Sequence, residues 1–497
     1  MHTKIKKVVI LGGGTSGWIT AALLIKKLHR IIEITLVESD AIGTIGVGEA
    51  TIPPITTLNA ALDISEKEFF EATNASFKLG IQFEGWGKPD DIYMHTFGKV
   101  GVDLTFCNFH HLVKKAQIIG EDTSLWDYSL NYRAAMENKF AHTKAFNDVP
   151  PMTYAYHFDA AKYVKLLSEV SIKRGVKRIE GVVAGVNKNH DTGYVESLIL
   201  SDGQIVEGDL FIDCSGFRGI LIEQELGVGF EDWAHWLPCD RAVAAQTEAL
   251  PHLPPYTRST AKKGGWQWQI PLQTRTGNGL VYSSQQYNEE QATAEFITGL
   301  NSGPLTDFNH IKFKTGIRKK PWEKNVVAIG LSSGFLEPLE STSIHLIQMA
   351  VVRLIWHFPS DGILQSEINN YNRLTIEEME HIRDFIIAHY CINQRDDSEL
   401  WRYCAAMALP DTLKHKLDLY QQTGKLFTSP DELFANISWL QVLEGQNLTT
   451  KTYHPVADAI DSVQMIDLLN RLKADIGKPV AAIPSHRDYI KMMLERA

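Results

Sequence analysis

Val8-Val9-Ile10-Leu11-Gly12-Gly13-Gly14-Thr15-Ser16-Gly17-Trp18 is the stretch that decides the fold. Its four leading apolar residues predict a short buried strand, and Gly12-x-Gly14-x-x-Gly17 follows at once. The apolar run from Ile19 to Leu28 predicts a helix, and Ile34 to Val37 a second strand that ends at Glu38. Strand, glycine turn, helix, strand and an acid about twenty residues on is the order of a dinucleotide-binding unit. In such a unit Gly12 permits the tight turn, Gly14 lets a pyrophosphate approach the backbone, and Gly17 lets helix and strand pack closely. The amides at the helix start, around Gly13, Thr15 and Ser16, face the anionic diphosphate. Glu38 is then positioned to accept hydrogen bonds from a ribose hydroxyl.

The bulk properties fit a globular protein built on that unit. A chain of 497 residues suggests roughly two to four structural units. With 49 Lys and Arg against 59 Asp and Glu, the formal charge is −10. That balance, and the lack of a long basic block, argue against a nucleic-acid partner. No run approaches the ~18 apolar residues a membrane span needs, so no membrane association is expected. Residues 1–7 lead straight into the first strand, which predicts no signal peptide. The five cysteines, Cys107, Cys214, Cys239, Cys391 and Cys404, have no metal spacing and suit reduced thiols in the cytoplasm.

Further along, Gly43 to Pro54 is glycine-rich and stopped by two prolines, which predicts an ordered loop able to lie against a flat ligand. Residues 65–74 read as a helix capped by Ser65, with Glu68 completing a capping box. Phe77, Leu79, Ile81 and Phe83 then alternate with polar or small residues, which predicts a strand. Lys78 falls opposite that apolar face, beside a glycine, Gly80, that is expected to leave room above it. The region from Asp90 to Pro151 is rich in aromatics and His and reads as a pocket-shaping insertion. His110 and His111 are expected to face opposite ways on a strand without a third ligand, so no metal site is expected.

Residues 160–174 predict a helix, and 176–187 and 194–212 predict strands that return the chain to the nucleotide unit. Residues 264–284 read as a hairpin with its turn at Thr276-Gly277-Asn278-Gly279. Trp266, Trp268 and Ile270 should share one strand face and the intervening glutamines the other. Val326 to Ile329 predicts another buried strand. A helix follows Glu340-Ser341-Thr342-Ser343, and its unpaired first-turn amides make a natural anion site. Residues 365–497 read as mostly helical.

Taken together, these motifs resemble the flavin-dependent tryptophan halogenase family over nearly the whole chain. The resemblance rests on the glycine motif, the loop Gly46-Val-Gly-Glu49-Ala-Thr-Ile-Pro53, Lys78 before an aromatic strand, Trp266-x-Trp268-x-Ile270-Pro271, and Glu337-Pro-Leu-Glu340-Ser-Thr. It implies an α/β fold with a Rossmann-type FAD-binding domain of the flavin monooxygenase kind, an inserted substrate region and a mostly helical C-terminal region. On that pattern 1–89 and 155–360 form the FAD-binding module, with a sheet region around 176–284. Residues 90–154 and 361–497 form the substrate region.

The implied chemistry uses FADH2 from a separate NAD(P)H-dependent flavin reductase, O2, and chloride or bromide to make hypohalous acid. Glu38, Val47, Ala50, Leu331 and Ile344 match flavin-contacting positions, alongside the 12–17 turn. Thr342 and Ser343 match the halide site, and Trp266 and Trp268 the indoles that shield the flavin from organic substrate. Lys78 is implied to hydrogen-bond hypohalous acid or form a haloamine. Glu340 orients the halogen, or stabilises the cationic arene and takes its proton. His95, Phe97 and Trp439 match walls of the aromatic substrate's pocket. The resemblance leaves a homodimer open.

The sequence also departs from the family pattern. Ser343 stands where the tryptophan enzymes have Gly, followed by Ile-His rather than Ile-Tyr. A side chain beside the halide site leads to the expectation that bromide serves at least as well as chloride. The adjacent tyrosines and acid that clamp the amino-acid end of tryptophan are not found in 425–460, where Phe434-Ala-Asn-Ile-Ser-Trp439 stands instead. Indole or another electron-rich arene is therefore expected to be preferred over free tryptophan. The competing readings are a flavin-dependent aromatic hydroxylase, and a flavin-binding protein without chemistry. Neither accounts for Lys78 with Glu340, and the hydroxylase gives no reason for the indole pair.

Overall fold

The strand Lys7–Leu11 pairs in parallel with Glu33–Glu38 on one side and with Leu210–Asp213 on the other. Val8, Val9, Ile10 and Leu11 are all buried, as a strand covered on both faces requires. The computed structural model describes residues 4–40 and 48–495. By internal contacts the chain divides into two units: 1–74, 158–237 and 312–380 form the first, and 75–157, 238–311 and 381–497 the second.

The first unit is built on a six-stranded sheet in the order Trp322–Glu323, Val326–Ala328, Leu210–Asp213, Lys7–Leu11, Glu33–Glu38 and Lys177–Glu180. All of its pairings are parallel except the one between the two strands at 322–328. The helix Thr15–Leu28 packs against the helix Ala160–Lys173, which Asp159 caps by accepting from the Lys162 N–H at 3.1 Å. An antiparallel meander of Val183–Lys188, Val195–Leu200 and Ile205–Glu207 joins the core formed by Val9, Leu11, Val37, Phe211 and Val326. The expected loop at 43–54 becomes a strand at Gly48–Ala50 and a helix at Pro54–Ala61. Pro54 sits in that helix's first turn, where its missing N–H costs nothing. The part of the loop at 41–47, Val47 included, lies outside the described residues.

The second unit is built on a seven-stranded sheet. Its order is Asn309–Lys312, Arg241–Glu248, Arg275–Tyr282, Gly265–Pro271, Thr257–Lys262, Gly80–Glu84 and Ile92–Thr96. This sheet is why the observed division departs from the expected boundaries. Gly80–Glu84 pairs with Thr257–Lys262, and 75–89 and 238–311 fall together in the second unit. Residues 361–380, expected in the substrate region, belong instead to the first unit. The C-terminal part is helical as expected, through Glu399–Ala406, Asp411–Thr423, Asn436–Gly445, Ser462–Ala482 and His486–Glu495.

Three local expectations are corrected. The hairpin turn falls at 272–274, where the Leu272 N–H donates to the Arg275 carbonyl, and Thr276 to Gly279 lie inside the strand Arg275–Tyr282. Gly277 and Gly279 stand directly opposite Ile270 and Trp268, and Gly279 makes room for the Trp268 indole across the ladder. His110 and His111 lie on the helix Phe109–Ile118, not on a strand. The space above Gly80 is filled by the backbone of its neighbour strand: a Cβ there would stand 2.4 Å from the His95 carbonyl oxygen. Gln267 and Gln269 are buried like the indoles beside them, because their strand is central in its sheet.

Candidate functional site

In the first unit the glycine turn is shaped from both sides. Gly12 has φ +116°, a value that side chains rarely adopt, and its N–H donates to the Val37 carbonyl at 2.8 Å. A Cβ on Gly17 would stand 1.9 Å from the Gly12 carbonyl oxygen, so helix and turn approach as closely as the motif requires. Above Gly14 there is space, with no heavy atom within 4 Å of where its Cβ would lie. Gly14 opens the helix Thr15–Leu28 without a side-chain cap, and no acidic residue occupies the first turn. An uncapped helix start beneath open space fits a dinucleotide diphosphate.

Glu38 leans back over this turn. Its carboxylate accepts from the Trp18 indole N–H at 3.3 Å and pairs with Arg178 at 2.5 Å. That pairing raises the Arg178 guanidinium above its ordinary value. A carboxylate has about four lone-pair sites, so these bonds leave acceptor capacity for hydroxyls. Cys214, at the end of the neighbouring strand, is pushed up to about 12 by burial and by the charge of Asp213, so it is a thiol.

Ala50 and Ile344 are buried and Leu331 is half-buried, on the strand Gly48–Ala50, the helix Ser343–Trp356 and the turn Gly330–Ser332. Thr342 is the N-cap of that helix and makes no side-chain capping bond, and the first turn holds no acid. Ser341 before it is left-handed, with φ 59°, and Glu340 is 1% exposed. The helix start is thus the positive end of a 14-residue dipole. One turn in, His345 meets Glu378 at 3.3 Å, and Arg353 meets the same carboxylate at 2.8 Å. Burial alone would raise the Glu378 carboxyl, but His345 and Arg353 outweigh it and hold it below its ordinary value.

In the second unit Lys78 ends the three-residue strand Ser76–Lys78 and is wholly buried. Its Nζ lies 5.4 Å from the centroid of the Phe97 ring. A buried ammonium over an aromatic face keeps its charge partly compensated while losing water. The strand pairs antiparallel with Ala155–Asp159, so that Ser76, Phe77 and Lys78 face His157, Tyr156 and Ala155. His157 is held well below the ordinary imidazole value by burial first, and then by the charges of Lys78 and His486. Neutral His157 joins a relay of hydroxyls. Ser76 Oγ donates to the Pro271 carbonyl at 2.6 Å, which leaves it to accept from His157 Nδ1 at 3.3 Å, and His157 Nε2 meets Thr257 Oγ1 at 2.8 Å. The lysine strand is thereby tied to the last residue of the Trp-x-Trp-x-Ile-Pro motif.

His95 and Phe97 flank Thr96, and His95 and Trp439 form one aromatic wall through Phe385. Gln441 clasps Thr96 between the first two: its Oε1 accepts from the Thr96 N–H at 2.9 Å and the Thr96 hydroxyl at 2.8 Å. That docks the helix Asn436–Gly445, which carries Trp439, onto the strand Ile92–Thr96. Phe385 links the wall, with its ring 5.6 Å from His95, 4.9 Å from Trp439 and stacked on Phe434 at 3.9 Å. Lys416 Nζ lies 4.3 Å from the Trp439 ring and pairs with Glu432 at 2.6 Å. Trp266 and Trp268 lie 6.0 Å apart, and Trp266 also meets Trp86 at 6.2 Å. Arg178, His157, His486, Gln441, Phe385 and Lys416 carry no signal in the linear pattern. Phe434 stands in a stretch that the sequence singled out for another reason.

A glycine-turn nucleotide cradle in one unit and a buried lysine among aromatic walls in the other define a dinucleotide-binding α/β enzyme. The tryptophan halogenase family model matches residues 7–462, and the chain belongs to that family of flavin-dependent halogenases. It is 37% identical to a tryptophan 6-halogenase from Streptomyces toxytricini over 84% of each chain. The structure is similar to that of a flavin-dependent halogenase from Xanthomonas campestris, with a TM-score of 0.96 and 45% identity over 99% of this chain and 98% of the other. A flavin-dependent halogenase from Brevundimonas matches with a TM-score of 0.94 and 41% identity over 99% of both chains. Among the described residues no helix is long and apolar enough to cross a membrane.

Proposed function

We propose that the protein halogenates an electron-rich arene of the indole type, with bromide used at least as well as chloride, and that Lys78 directs the halogen. FAD, reduced by a separate NAD(P)H-dependent flavin reductase, supplies with O2 the two-electron oxidation that turns halide into hypohalous acid. The residues that would hold it are the 12–17 turn, Glu38, Ala50, Leu331 and Ile344, with Thr342 and Ser343 holding the halide. Trp266 and Trp268 keep organic substrate away from the flavin.

Lys78 carries the reading, because its side chain is fully buried and its ammonium faces the Phe97 ring, a cationic donor held away from bulk water. Its N–H donates to the oxygen of hypohalous acid and draws electron density from the halogen–oxygen bond. The arene carbon attacks the halogen, the carbon–halogen bond forms, and the oxygen leaves as water with the proton given by Lys78. Glu340 takes the proton of the cationic arene, which restores the balance of protons. Away from water such a donor acts far more strongly than in solution.

The arene preference follows from the wall around Trp439. Lys416 is engaged with Glu432 and the Trp439 ring, and Phe434 stacks on Phe385 where an amino-acid clamp would be needed. A flat apolar substrate gains from such aromatic walls, while an unpaired carboxylate and ammonium lose their hydration. The bromide preference follows from the Ser343 side chain in the first helical turn.

The test is a competition. Protein, FAD, flavin reductase, NADH and O2 are incubated with bromide and chloride together, and with indole and tryptophan together, and product masses are read. The proposal expects brominated indole to dominate. Faster turnover of tryptophan, or a clear chloride preference, would contradict it in that part. A mass gain of oxygen would replace halogenation by hydroxylation.

A further inference from the structure

The strand that carries Lys78 is only three residues long, and the edge it leaves without a neighbouring strand is closed by a side chain from the far end of the chain. The Phe77 N–H donates to His486 Nε2 at 3.0 Å, across 409 residues of sequence. The other ring nitrogen, Nδ1, meets the Leu253 carbonyl at 2.9 Å. One partner is a donor and the other an acceptor, so they select a single form of the ring: neutral, with its proton on Nδ1. His486 is wholly buried, and burial holds it down to about 4, so the neutral form prevails at ordinary pH.

The neighbours of Lys78 share this anchorage. The Leu79 N–H donates to the Pro255 carbonyl at 2.7 Å, two residues from the carbonyl that His486 engages. The segment 253–255 therefore holds the chain on both sides of Lys78, once directly and once through the imidazole. Around the ring stand Phe77 at 5.9 Å and Phe140 at 6.0 Å, and these two rings stack on each other at 3.8 Å. Arg487 and His157 are the titratable groups that act on the ring or feel it. Nothing in this arrangement brings His486 to the reactants.

We propose that His486 is a positioning residue: its neutral Nδ1–H tautomer bridges Phe77 and Leu253 and thereby sets the place of the Lys78 ammonium. The inference rests on the reading of Lys78 as the group that directs the halogen. Removing the bridge leaves a buried N–H and a buried carbonyl without partners, and the short strand gains freedom to shift. Misplacement of a reacting group by about 1 Å costs on the order of 100-fold in rate. Halide oxidation draws on residues of the other unit and is expected to be insensitive.

The test separates the two reactions in one assay. With FAD, reductase, NADH, O2 and bromide, hypobromous acid is caught by a diketone scavenger in one arm and brominated indole is measured in the other. His486→Phe keeps the ring's bulk and removes both hydrogen bonds. It should leave scavenged hypobromous acid within about twofold of the unaltered protein and lower indole bromination about 10- to 100-fold. His486→Gln offers one acceptor and one donor about as far apart, and should recover most of the lost bromination. Equal losses in both arms would reduce His486 to a structural role, and unchanged bromination would remove any role.

Lys78→Ala serves as the control on the underlying reading. If it brominates indole normally, that reading fails; if it is inactive while His486→Phe is normal, only the positioning claim fails. Should His486→Phe not fold, histidine 15N NMR of the unaltered protein at neutral pH decides. An Nε2-protonated or doubly protonated His486 would overturn the proposal, and an Nδ1-protonated ring supports it.

Discussion

Trp268 and Gly279 stand directly opposite each other in the antiparallel ladder between Gly265–Pro271 and Arg275–Tyr282, and the indole lies over the glycine. A Cβ on Gly279 would come within 2.0 Å of the indole ring. The glycine is there for space, not for its backbone freedom, since its φ is not in the left-handed region.

Gly279→Ala must therefore displace the indole. Overpacking of this kind costs about 1–3 kcal/mol, which should appear as a lower urea midpoint together with altered tryptophan emission. An unchanged midpoint and spectrum would mean that the indole has another place to go.

Asp213 anchors the turn beside the glycine motif. Its carboxylate accepts from the N–H groups of Ser215 at 2.9 Å, Leu221 at 2.8 Å and Ile222 at 2.9 Å, and the side chain is wholly buried. Asp213→Ala leaves three donors unpaired, each costing about 1–3 kcal/mol. Equilibrium unfolding in urea should show a loss of at least about 3 kcal/mol, and FAD affinity should fall with it because the Cys214 carbonyl abuts Gly12. Wild-type stability would show that water replaces the carboxylate.

Acid should destabilise the fold before the carboxylates titrate. His486 is depressed to about 4 by burial, opposed by its bond to Leu253 and aided by the charge of Arg487. Unfolded, it titrates near 6.5, so between about pH 4 and 6.5 the unfolded chain binds the extra proton. Its contribution is complete above about pH 6.5 and is lost as pH falls towards 4, amounting to about 3 kcal/mol. His111, depressed to about 3 chiefly by burial, acts in the same direction. Urea midpoints measured from pH 4 to 7 should rise with pH, and His486→Gln should flatten the rise. An equal slope in that variant would contradict the assignment.

How much of this was legible in the sequence depended on how far each residue's partner lay along the chain. The nucleotide unit could be read because strand, glycines, helix and Glu38 are contiguous, and their contacts are mutual. The Thr276–Gly279 stretch looked like a turn because glycine's local meaning and its cross-strand meaning are indistinguishable in one dimension. Lys78 could be singled out by resemblance, whereas its surroundings could not. The Phe77 N–H finds its acceptor at residue 486, and Ser76 finds the Pro271 carbonyl. The pairing of Gly80–Glu84 with Thr257–Lys262 in one sheet was hidden for the same reason, since register between distant strands leaves no local pattern.

The central claim is that Lys78 directs hypohalous acid to the arene, and one comparison tests it most directly. Unaltered protein and Lys78→Ala are supplied with FAD, flavin reductase, NADH, O2, bromide and indole, and brominated indole is measured by mass beside scavenged hypobromous acid. The account predicts that Lys78→Ala still makes hypobromous acid but no brominated indole above the level of free hypobromous acid in solution. Bromination at the unaltered rate in Lys78→Ala would contradict it.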